Sequence, residues 1–293
     1  MSGLPTAGLP NTRREWAALL DRLEVRPSKG LGQHFLYERG IVQRMVRLAG
    51  IGADDLVLEI GPGLGILTSE LLLRARAVTA IELDRRLATH LTGVFGADPR
   101  FRLIEGNALT VATADVVPPG EPFVVAANLP YAVATAVLRH LLEQTPRPRR
   151  LALMLQKEVA QRIAASPPDL TILGVAVQFY ADARVAFDVP PTVFLPPPNV
   201  ESAVLLLETR PRLPLPETDH ARFFRVVNAG FRQKRKQVAN SIAAELDMDK
   251  IPVTAWLRDA GIDPMRRAQT LSVAEWVKLT LAAPPLPPVE AGG

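Results

Sequence analysis

Four consecutive residues, Asn128, Leu129, Pro130 and Tyr131, carry the side chains best suited to chemistry, and they close the apolar stretch 123–127. An amine attached to an aromatic ring is a poor nucleophile, because its lone pair is delocalised into the ring. Two acceptors, the Asn128 side-chain oxygen and a backbone carbonyl at Leu129 or Pro130, favour a pyramidal nitrogen with its lone pair aimed at an electrophilic methyl group. The Tyr131 ring offers a stacking surface for a flipped base. The turn therefore offers two acceptors and a stacking ring that could position the amine of an aromatic base without a strong general base.

A glycine-rich loop follows the apolar stretch 56–60 and carries glycines at Gly61, Gly63 and Gly65. Glycine lets the backbone turn sharply and approach a ligand where a side chain would collide. A dinucleotide fingerprint needs its third glycine at position 66, which is Ile, and no Lys-Ser/Thr pair follows to make a P-loop. Preceded by Glu59, the spacing E-x-G-x-G-x-G is similar to the first motif of class I S-adenosylmethionine methyltransferases. A purely structural turn is the alternative reading.

Two further polar residues follow the next predicted strands. Glu82 ends the stretch 77–81, where a carboxylate can accept both hydrogens of a ribose diol. Asn107 follows the stretch 101–105, at a position where class I methyltransferases usually carry Asp to bind the adenine amino group. An Asn side-chain oxygen can also accept that hydrogen, but without the negative charge.

These residues are positioned by alternating helical and strand-like patterns. Short apolar runs predict strands over 56–60, 77–81, 101–105, 123–127 and 151–155, and helical spacing separates several of them, as over 41–49, 67–73 and 158–165. Strands that are apolar throughout imply a mostly parallel sheet covered on both faces. The predicted fold is therefore α/β, with a class I (Rossmann-like) methyltransferase sheet.

A second, helical domain is predicted near the carboxyl end. The stretches 175–187 and 202–208 are rich in β-forming residues and are predicted to be antiparallel, because no crossover helix separates them. The Pro-rich segment 210–216 cannot continue a strand, and only helical patterns follow it. We therefore predict a flexible extension over 1–26, a methyltransferase domain over 27–210, a helical RNA-binding domain over 211–283 and a disordered tail over 284–293.

The composition excludes several classes of mechanism. Cysteine is absent, which excludes disulfide scaffolds, thiolate zinc sites and cysteine nucleophiles, and with them C5-pyrimidine methylation through a covalent intermediate. The four histidines lack metal-ligand spacing, so no metal is expected. Residues 1–50 and 211–293 carry net charges of +4 and +3, against −3 for the centre, a pattern that suits a polyanionic partner. No targeting or membrane segment is evident, which predicts a soluble cytoplasmic protein.

Several sequence blocks together resemble the KsgA (RsmA) family of small-subunit rRNA adenine dimethyltransferases. The turn 128–131 matches the motif of amino methyltransferases in its N-L-P-Y form, and 29–36 looks like the family's G-Q-N-F-L motif, with His34 where Asn is usual. The segments 155–159 and 194–204 match two further blocks, and 231–236 looks like a basic helical signature. The likeness spans roughly residues 27–280.

The resemblance implies a function and a set of site residues. The chain is expected to dimethylate N6 of two adjacent adenines in a 3′-terminal hairpin loop of 16S rRNA, using S-adenosyl-L-methionine, within an immature 30S particle and as a monomer. Implied cofactor contacts are His34, Leu36, Gly61, Glu82, Asn107 and Asn128, and Phe194 is implied to stack on the target adenine opposite Tyr131. Contacts to RNA phosphates are predicted for Lys29, Arg147, Arg149, Arg150, Arg232, Lys234, Arg235 and Lys236.

Two alternative functions stay open at this point. One is an erythromycin-resistance-type methyltransferase of large-subunit rRNA, which shares the central motifs; the blocks 194–204 and 231–236 favour the first reading. The other is a non-catalytic nucleic-acid-binding factor on the same fold, which the Asn at 107 keeps open and the intact turn 128–131 disfavours.

Overall fold

Helices and strands alternate along most of the chain. A computed structural model describes residues 9–27 and 32–288. The strands in these residues are β1 (Phe35–Leu36), β2 (Leu56–Ile60), β3 (Ala77–Glu82), β4 (Phe101–Glu105), β5 (Phe123–Asn128), β6 (Arg150–Gln156), β7 (Ala181–Val189), β8 (Phe194–Leu195) and β9 (Ser202–Thr209). The α-helices are α1 (Arg13–Arg22), α2 (Arg39–Leu48), α3 (Ile66–Leu72), α4 (Arg85–Phe95), α5 (Thr113–Val116), α6 (Ala134–Glu143), α7 (Lys157–Ala164), α8 (Ile172–Gln178), α9 (His220–Phe231), α10 (Val238–Glu245), α11 (Lys250–Asp259) and α12 (Val273–Leu281).

The main sheet has seven strands in the order β4-β3-β2-β5-β6-β9-β7. The five strands from β4 to β6 are parallel, and β9 runs antiparallel to β6. The first five residues of β5 are buried on both faces of the strand, as expected when helices cover both faces of a sheet. The α/β fold and the mostly parallel sheet predicted from the sequence are confirmed.

A two-stranded ribbon lies outside the main sheet and brings two distant segments together. Strand β1 pairs antiparallel with β8, so that Phe35 faces Leu195 and Leu36 faces Phe194. The adjoining Tyr37 continues the contact, since its backbone N–H donates to the Val193 carbonyl at 3.1 Å. The ribbon therefore ties the segment 34–37 to the loop between β7 and β9.

Two segments differ from the sequence-based prediction. Residues Arg13–Arg22, predicted as part of a flexible extension, form α1, whose start is fixed by a capping box between Thr12 and Glu15 and whose Trp16 is fully buried. The stretch 175–187 was predicted to be β-rich, but its first four residues belong to α8, because the Thr171 hydroxyl accepts the Gly174 N–H and starts a helix there. In both cases a local cap favours the helix.

The chain folds as two compact units that are interleaved in sequence. Among the described residues, the first comprises those within 1–160 and 182–209, and the second comprises those within 161–181 and 210–293. Residues 161–181 therefore belong to the second unit, although they were predicted to lie in the domain over 27–210. We call this segment the excursion of the second unit. Inside the second unit, the Phe179 ring lies 4.5 Å from the Phe223 ring, between centroids, and anchors this excursion on α9.

The end of the described chain is also more ordered than predicted. The Arg222 guanidinium donates to the carbonyls of Ala283 and Pro284, the latter at 3.0 Å, so the predicted tail begins with a fixed residue. Residues 289–293 of that tail lie outside the described residues. No helix in the described part of the chain is long and apolar enough to cross a membrane.

Candidate active site

A cleft opens at the carboxyl ends of β2, β3 and β5, where the strand order reverses and ligands of α/β sheets commonly bind. The predicted site residues that line this cleft are His34, Leu36, Gly61, Gly63, Glu82, Asn128, Leu129, Pro130, Tyr131 and Phe194. The structure thus brings together ten of the twelve residues that were predicted to act in catalysis or cofactor binding.

The glycine loop adopts a conformation that requires glycine at Gly63. Its φ of +59° is left-handed, and a Cβ atom there would lie 3.2 Å from the Phe35 ring. The Gly63 N–H donates to the Glu82 side chain at 3.1 Å, which links the loop to β3. The loop therefore presents bare backbone at the cleft.

Glu82 lies at the last position of β3 with only 6% of its surface exposed. Its Oε1 accepts the N–H groups of Leu83 and Asp84 at 2.8 and 2.9 Å, and its Oε2 accepts that of Gly63. Burial raises the pKa of Glu82, and the three N–H donors oppose that shift. Because Oε1 already accepts two hydrogen bonds, Oε2 is the atom better able to accept one from a ligand hydroxyl.

Two of the predicted cofactor residues lie apart from the cleft lining. Gly65 is the N-cap of α3 with a φ of +88°, and a Cβ there would lie 2.6 Å from the Phe95 ring, so its absence of a side chain serves packing. The Asn107 side-chain oxygen accepts the Leu109 N–H at 2.9 Å, in the turn that follows β4. Cofactor contacts at these two residues stay predictions.

The turn 128–131 presents acceptors to the cleft. The Asn128 side-chain nitrogen donates to the His34 carbonyl at 3.2 Å, which directs the amide oxygen away from that partner. The Pro130 carbonyl already accepts the Val133 N–H at 3.1 Å, so the Leu129 carbonyl is the better second acceptor. The Leu129 N–H is itself held by the Met154 carbonyl on β6 at 3.3 Å.

His34 contacts three parts of the site. Besides its backbone carbonyl, its Nδ1 lies 2.8 Å from the Pro196 carbonyl, and its ring lies 5.4 Å from the Tyr131 ring, between centroids, at an interplanar angle of 38°. The imidazole therefore packs on the predicted base-stacking ring and on the loop that carries Phe194.

Two aromatic side chains, Tyr131 and Phe194, line the cleft on separate elements. The Tyr131 hydroxyl lies 2.7 Å from the Ser202 hydroxyl at the start of β9, and burial raises the pKa of Tyr131. Phe194 belongs to the hydrophobic core, and 1% of its surface is exposed. A base could therefore contact the Phe194 ring only from the cleft.

Lys157 fixes both ends of the loop that carries Phe194. Its Nζ lies 2.7 Å from an Asp188 oxygen and 2.8 Å from a Glu201 oxygen, so one ammonium joins the end of β7 to the residue before β9. These hydrogen bonds raise the pKa of Lys157. Two sequence blocks, 155–159 and 194–204, thus meet through this ion pair.

Glu59 is a cleft residue to which the sequence patterns assigned no role of its own. Its side chain is fully buried and lines the cleft, and its Oε2 accepts the Thr68 hydroxyl at 2.7 Å. Burial is the main cause that raises the pKa of Glu59 to about 8. An acidic residue inside the apolar strand 56–60 was the signal that could have revealed it.

The predicted RNA-binding residues fall into two groups. Arg232, Lys234, Arg235 and Lys236 are exposed in the turn between α9 and α10, rather than in the predicted helix, because Ser241 accepts the Gln233 N–H and donates to the Ala229 carbonyl. We call these four residues the basic turn. Arg232 also pairs with Glu245 at 3.4 Å.

The arginines of the other group are engaged at the amino-terminal edge of the sheet, away from the cleft. Arg149 and Arg150 both pair with the buried Asp55, and Arg147 donates to the Leu142 carbonyl at 2.6 Å. Their contact with RNA stays a prediction, since the structure gives each a partner within the protein. Lys29 lies outside the described residues. No group of three or more His, Asp or Glu residues that could hold a metal occurs in the described ranges.

Comparisons with family models and with curated proteins identify the same kind of protein. The model of the family described as ribosomal RNA adenine dimethylase matches residues 26–283. The chain is 39% identical over 278 residues to the ribosomal RNA small subunit methyltransferase A of Dehalococcoides mccartyi, covering 95% of this chain and 96% of that protein. It is 41% identical over 273 residues to the protein of the same name from Moorella thermoacetica, covering 90% and 94%.

Two solved structures are also similar. A dimethyladenosine transferase from Plasmodium falciparum superposes with a TM-score of 0.73 at 25% identity, covering 85% of this chain and 96% of that chain. The 23S rRNA methyltransferase ErmE gives a TM-score of 0.69 at 27% identity, covering 85% and 98%.

Proposed function

The chain belongs to the ribosomal RNA adenine dimethylase family, and from this premise we propose that it dimethylates N6 of two adjacent adenines of small-subunit rRNA. The adenines are proposed to lie in a 3′-terminal hairpin loop of 16S rRNA, in an immature 30S particle in the cytoplasm. S-adenosyl-L-methionine is the proposed methyl donor, and the monomer is the proposed active form. The observation that carries the proposal is the Asn128 amide, whose nitrogen is held by His34 and whose oxygen is available to the cleft.

The cleft fits a cofactor with hydroxyl groups and a positive charge. Glu82 Oε2 accepts a single N–H and can accept a ligand hydroxyl as well, and Gly63 offers backbone without a side chain. Glu59 has a buried oxygen that lacks a hydrogen-bond partner in the described residues, so the cleft contains an unused acceptor. When bound, S-adenosylmethionine would supply a methyl group on a positively charged sulfur.

The residues of the turn 128–131 then act on the base. The Asn128 oxygen and the Leu129 carbonyl would accept the two hydrogens of the unmodified adenine amine, and one of them the single hydrogen left after the first transfer, which localises the nitrogen lone pair. Each transfer releases one amine proton to solvent. Tyr131 stacks on the base from one side, with its hydroxyl fixed by Ser202. Positioning is the main contribution of the protein, and each base enters the site twice because two methyl groups are added.

Transfer of labelled methyl groups to unmodified small subunits, followed by nucleoside analysis, tests this proposal. The expected product is N6,N6-dimethyladenosine at two adjacent positions, with the Asn128→Ala variant as the control. Labelling of another base, or none with folded protein, would contradict the proposal.

A second candidate function is methylation of large-subunit rRNA, favoured only by the structural similarity to ErmE. Parallel assays on immature small and large subunits distinguish the two. The proposed function requires labelling of the small subunit, and labelling of the large subunit alone would replace it.

A further inference from the structure

A buried carboxyl group faces the cleft with one of its oxygens unused. Glu59 has no exposed surface, and its Oε1 lacks a hydrogen-bond partner in the described residues. Its Oε2 accepts the Thr68 hydroxyl at 2.7 Å, from α3. A buried acceptor without a partner is costly, which suggests that the site is completed by something outside the protein.

The described residues around Glu59 provide no positive charge. Its neighbours in the adjacent strands are Ala80 on β3 and Ala126 on β5. Among the described cleft-lining residues the ionisable side chains are Glu59, Glu82, His34 and Tyr131, with no Lys or Arg. Two buried carboxyl groups in one cleft repel each other when both are ionised.

This environment favours the neutral form of Glu59 in the absence of a ligand. Burial, with a smaller contribution from Glu82, raises the pKa of Glu59 to about 8, although Thr68 opposes the shift. A positive charge brought into the cleft favours the ionised form and lowers that pKa.

We propose that Glu59 carries a proton in the ligand-free cleft and releases it to solvent when a positively charged cofactor enters. The carboxylic acid becomes a carboxylate, the proton passes to the buffer, and no other bond changes. The inference deepens the proposed function, on which it rests, since the cation in question is the sulfonium cofactor. Cofactor binding is thereby coupled to pH.

Calorimetric titration with S-adenosylmethionine at pH 7, in phosphate and in Tris, measures the released protons through the different ionisation heats of the buffers. The wild-type protein is expected to release most of one proton for each cofactor bound. Its affinity is expected to rise by up to about tenfold per pH unit below the pKa of Glu59.

Two variants and one control sharpen the test. Glu59→Gln keeps the acceptor for Thr68 but cannot ionise, so proton release disappears and the affinity becomes independent of pH. Thr68→Val removes a donor to the carboxylate and moves the release to higher pH. The control is Glu70→Gln, a change at a second buried acid that lies on α3, pairs with Arg74 at 2.6 Å and does not line the cleft. This variant is expected to release as many protons as the wild-type protein.

The failure of this inference differs from the failure of the proposed function. Binding heats that are equal in both buffers, or release that persists in Glu59→Gln, would overturn the coupling while methyl transfer still occurs. The absence of any cofactor binding would overturn both.

Discussion

The two side-chain amide atoms of Asn128 have different partners, and this difference decides what the residue can do. Its nitrogen donates to the His34 carbonyl, so its oxygen remains for an amine in the cleft. Alanine removes both atoms, whereas aspartate keeps an acceptor and loses the donor.

We expect Asn128→Ala to lower the rate constant of methyl transfer by about 10²- to 10³-fold, the usual effect of removing one preorganised hydrogen-bonding group. Single-turnover assays on small subunits measure this effect, with thermal unfolding as the check on folding. Retention of more than a tenth of the wild-type rate by a folded variant would show that the amide is dispensable.

Glu59 also gives the ligand-free protein a pH-dependent stability. Its pKa is about 8 in the folded protein and near 4.3 when unfolded, so the folded state binds more protons between these values. The contribution of Glu59 to the free energy of unfolding is fully present below the pKa of the unfolded state and is lost as the pH rises through 8.

We therefore expect Glu59→Gln to raise the Tm at pH 8 and to change it little at pH 5. Thermal unfolding without cofactor at the two pH values tests this, with Glu70→Gln as the matched substitution. An equal change in Tm at both pH values would show that ionisation of Glu59 is not the cause.

His34 offers a further test at a single position. Its ring contact with Tyr131 and its hydrogen bond to the Pro196 carbonyl together contribute on the order of 1–2 kcal/mol to holding Tyr131 and that loop in position. We expect His34→Ala to lower kcat/KM for the RNA substrate by about tenfold.

The control for His34→Ala is the affinity for S-adenosylmethionine, measured by calorimetry. The ring contacts predict a smaller effect on this affinity than on kcat/KM. A tenfold loss of cofactor affinity with unchanged kcat/KM would instead assign the ring to the cofactor.

At the scale of elements, the glycine loop and α3 depend on close packing. Gly65 has a left-handed φ and faces the Phe95 ring. Gly93 lies within α4, and outside its chain neighbours and the nearby backbone of that helix no described atom lies within 4 Å of its would-be Cβ. The same substitution should therefore have opposite effects at the two positions.

We expect Gly65→Ala to lower the free energy of unfolding by about 1–3 kcal/mol, because of strain and overlap with Phe95. Gly93→Ala is expected to raise it by roughly 0.5–1 kcal/mol through higher helix propensity. Urea unfolding of both variants measures the difference; a stable Gly65→Ala protein would mean that α4 moves to admit the methyl group.

The parallel strands and the cleft could be predicted from the sequence, because apolar runs that end in polar residues define both the sheet and its carboxyl edge. Helix α8 could not, since its Ile172 and Val175 favour strands and the cap at Thr171 decides otherwise. The capping box of α1 could be read from Thr12 and Glu15, but the burial of Trp16, which holds the helix on the core, is a tertiary contact. The ribbon of β1 and β8 joins residues too distant in sequence for local patterns to predict.

At the scale of the whole molecule, the basic turn gives the second unit four exposed cationic side chains close together in sequence. One of them, Arg232, pairs with Glu245. Exposed cations of this kind bind phosphates with a strong dependence on salt.

Replacing the four residues of the basic turn with Gln is expected to weaken RNA binding and to reduce the slope of log K against log salt by up to about 3. Filter binding between low and moderate salt measures the slope. Lys250→Gln with Arg258→Gln, exposed on α11, is the control and should change the slope less. An unchanged slope in the fourfold variant would place the phosphate contacts elsewhere.

The interleaving of the two units constrains the order in which a nascent chain can fold. Residues 161–181 leave the ribosome before 210–293, so the Phe179 ring is synthesised ahead of the Phe223 ring on which it packs. During that interval the apolar surface around Phe179 is exposed, because the residues that cover it have not yet been translated. Completion of the second unit therefore requires synthesis of the residues after 210, and a chain stalled before them would expose a surface prone to aggregation.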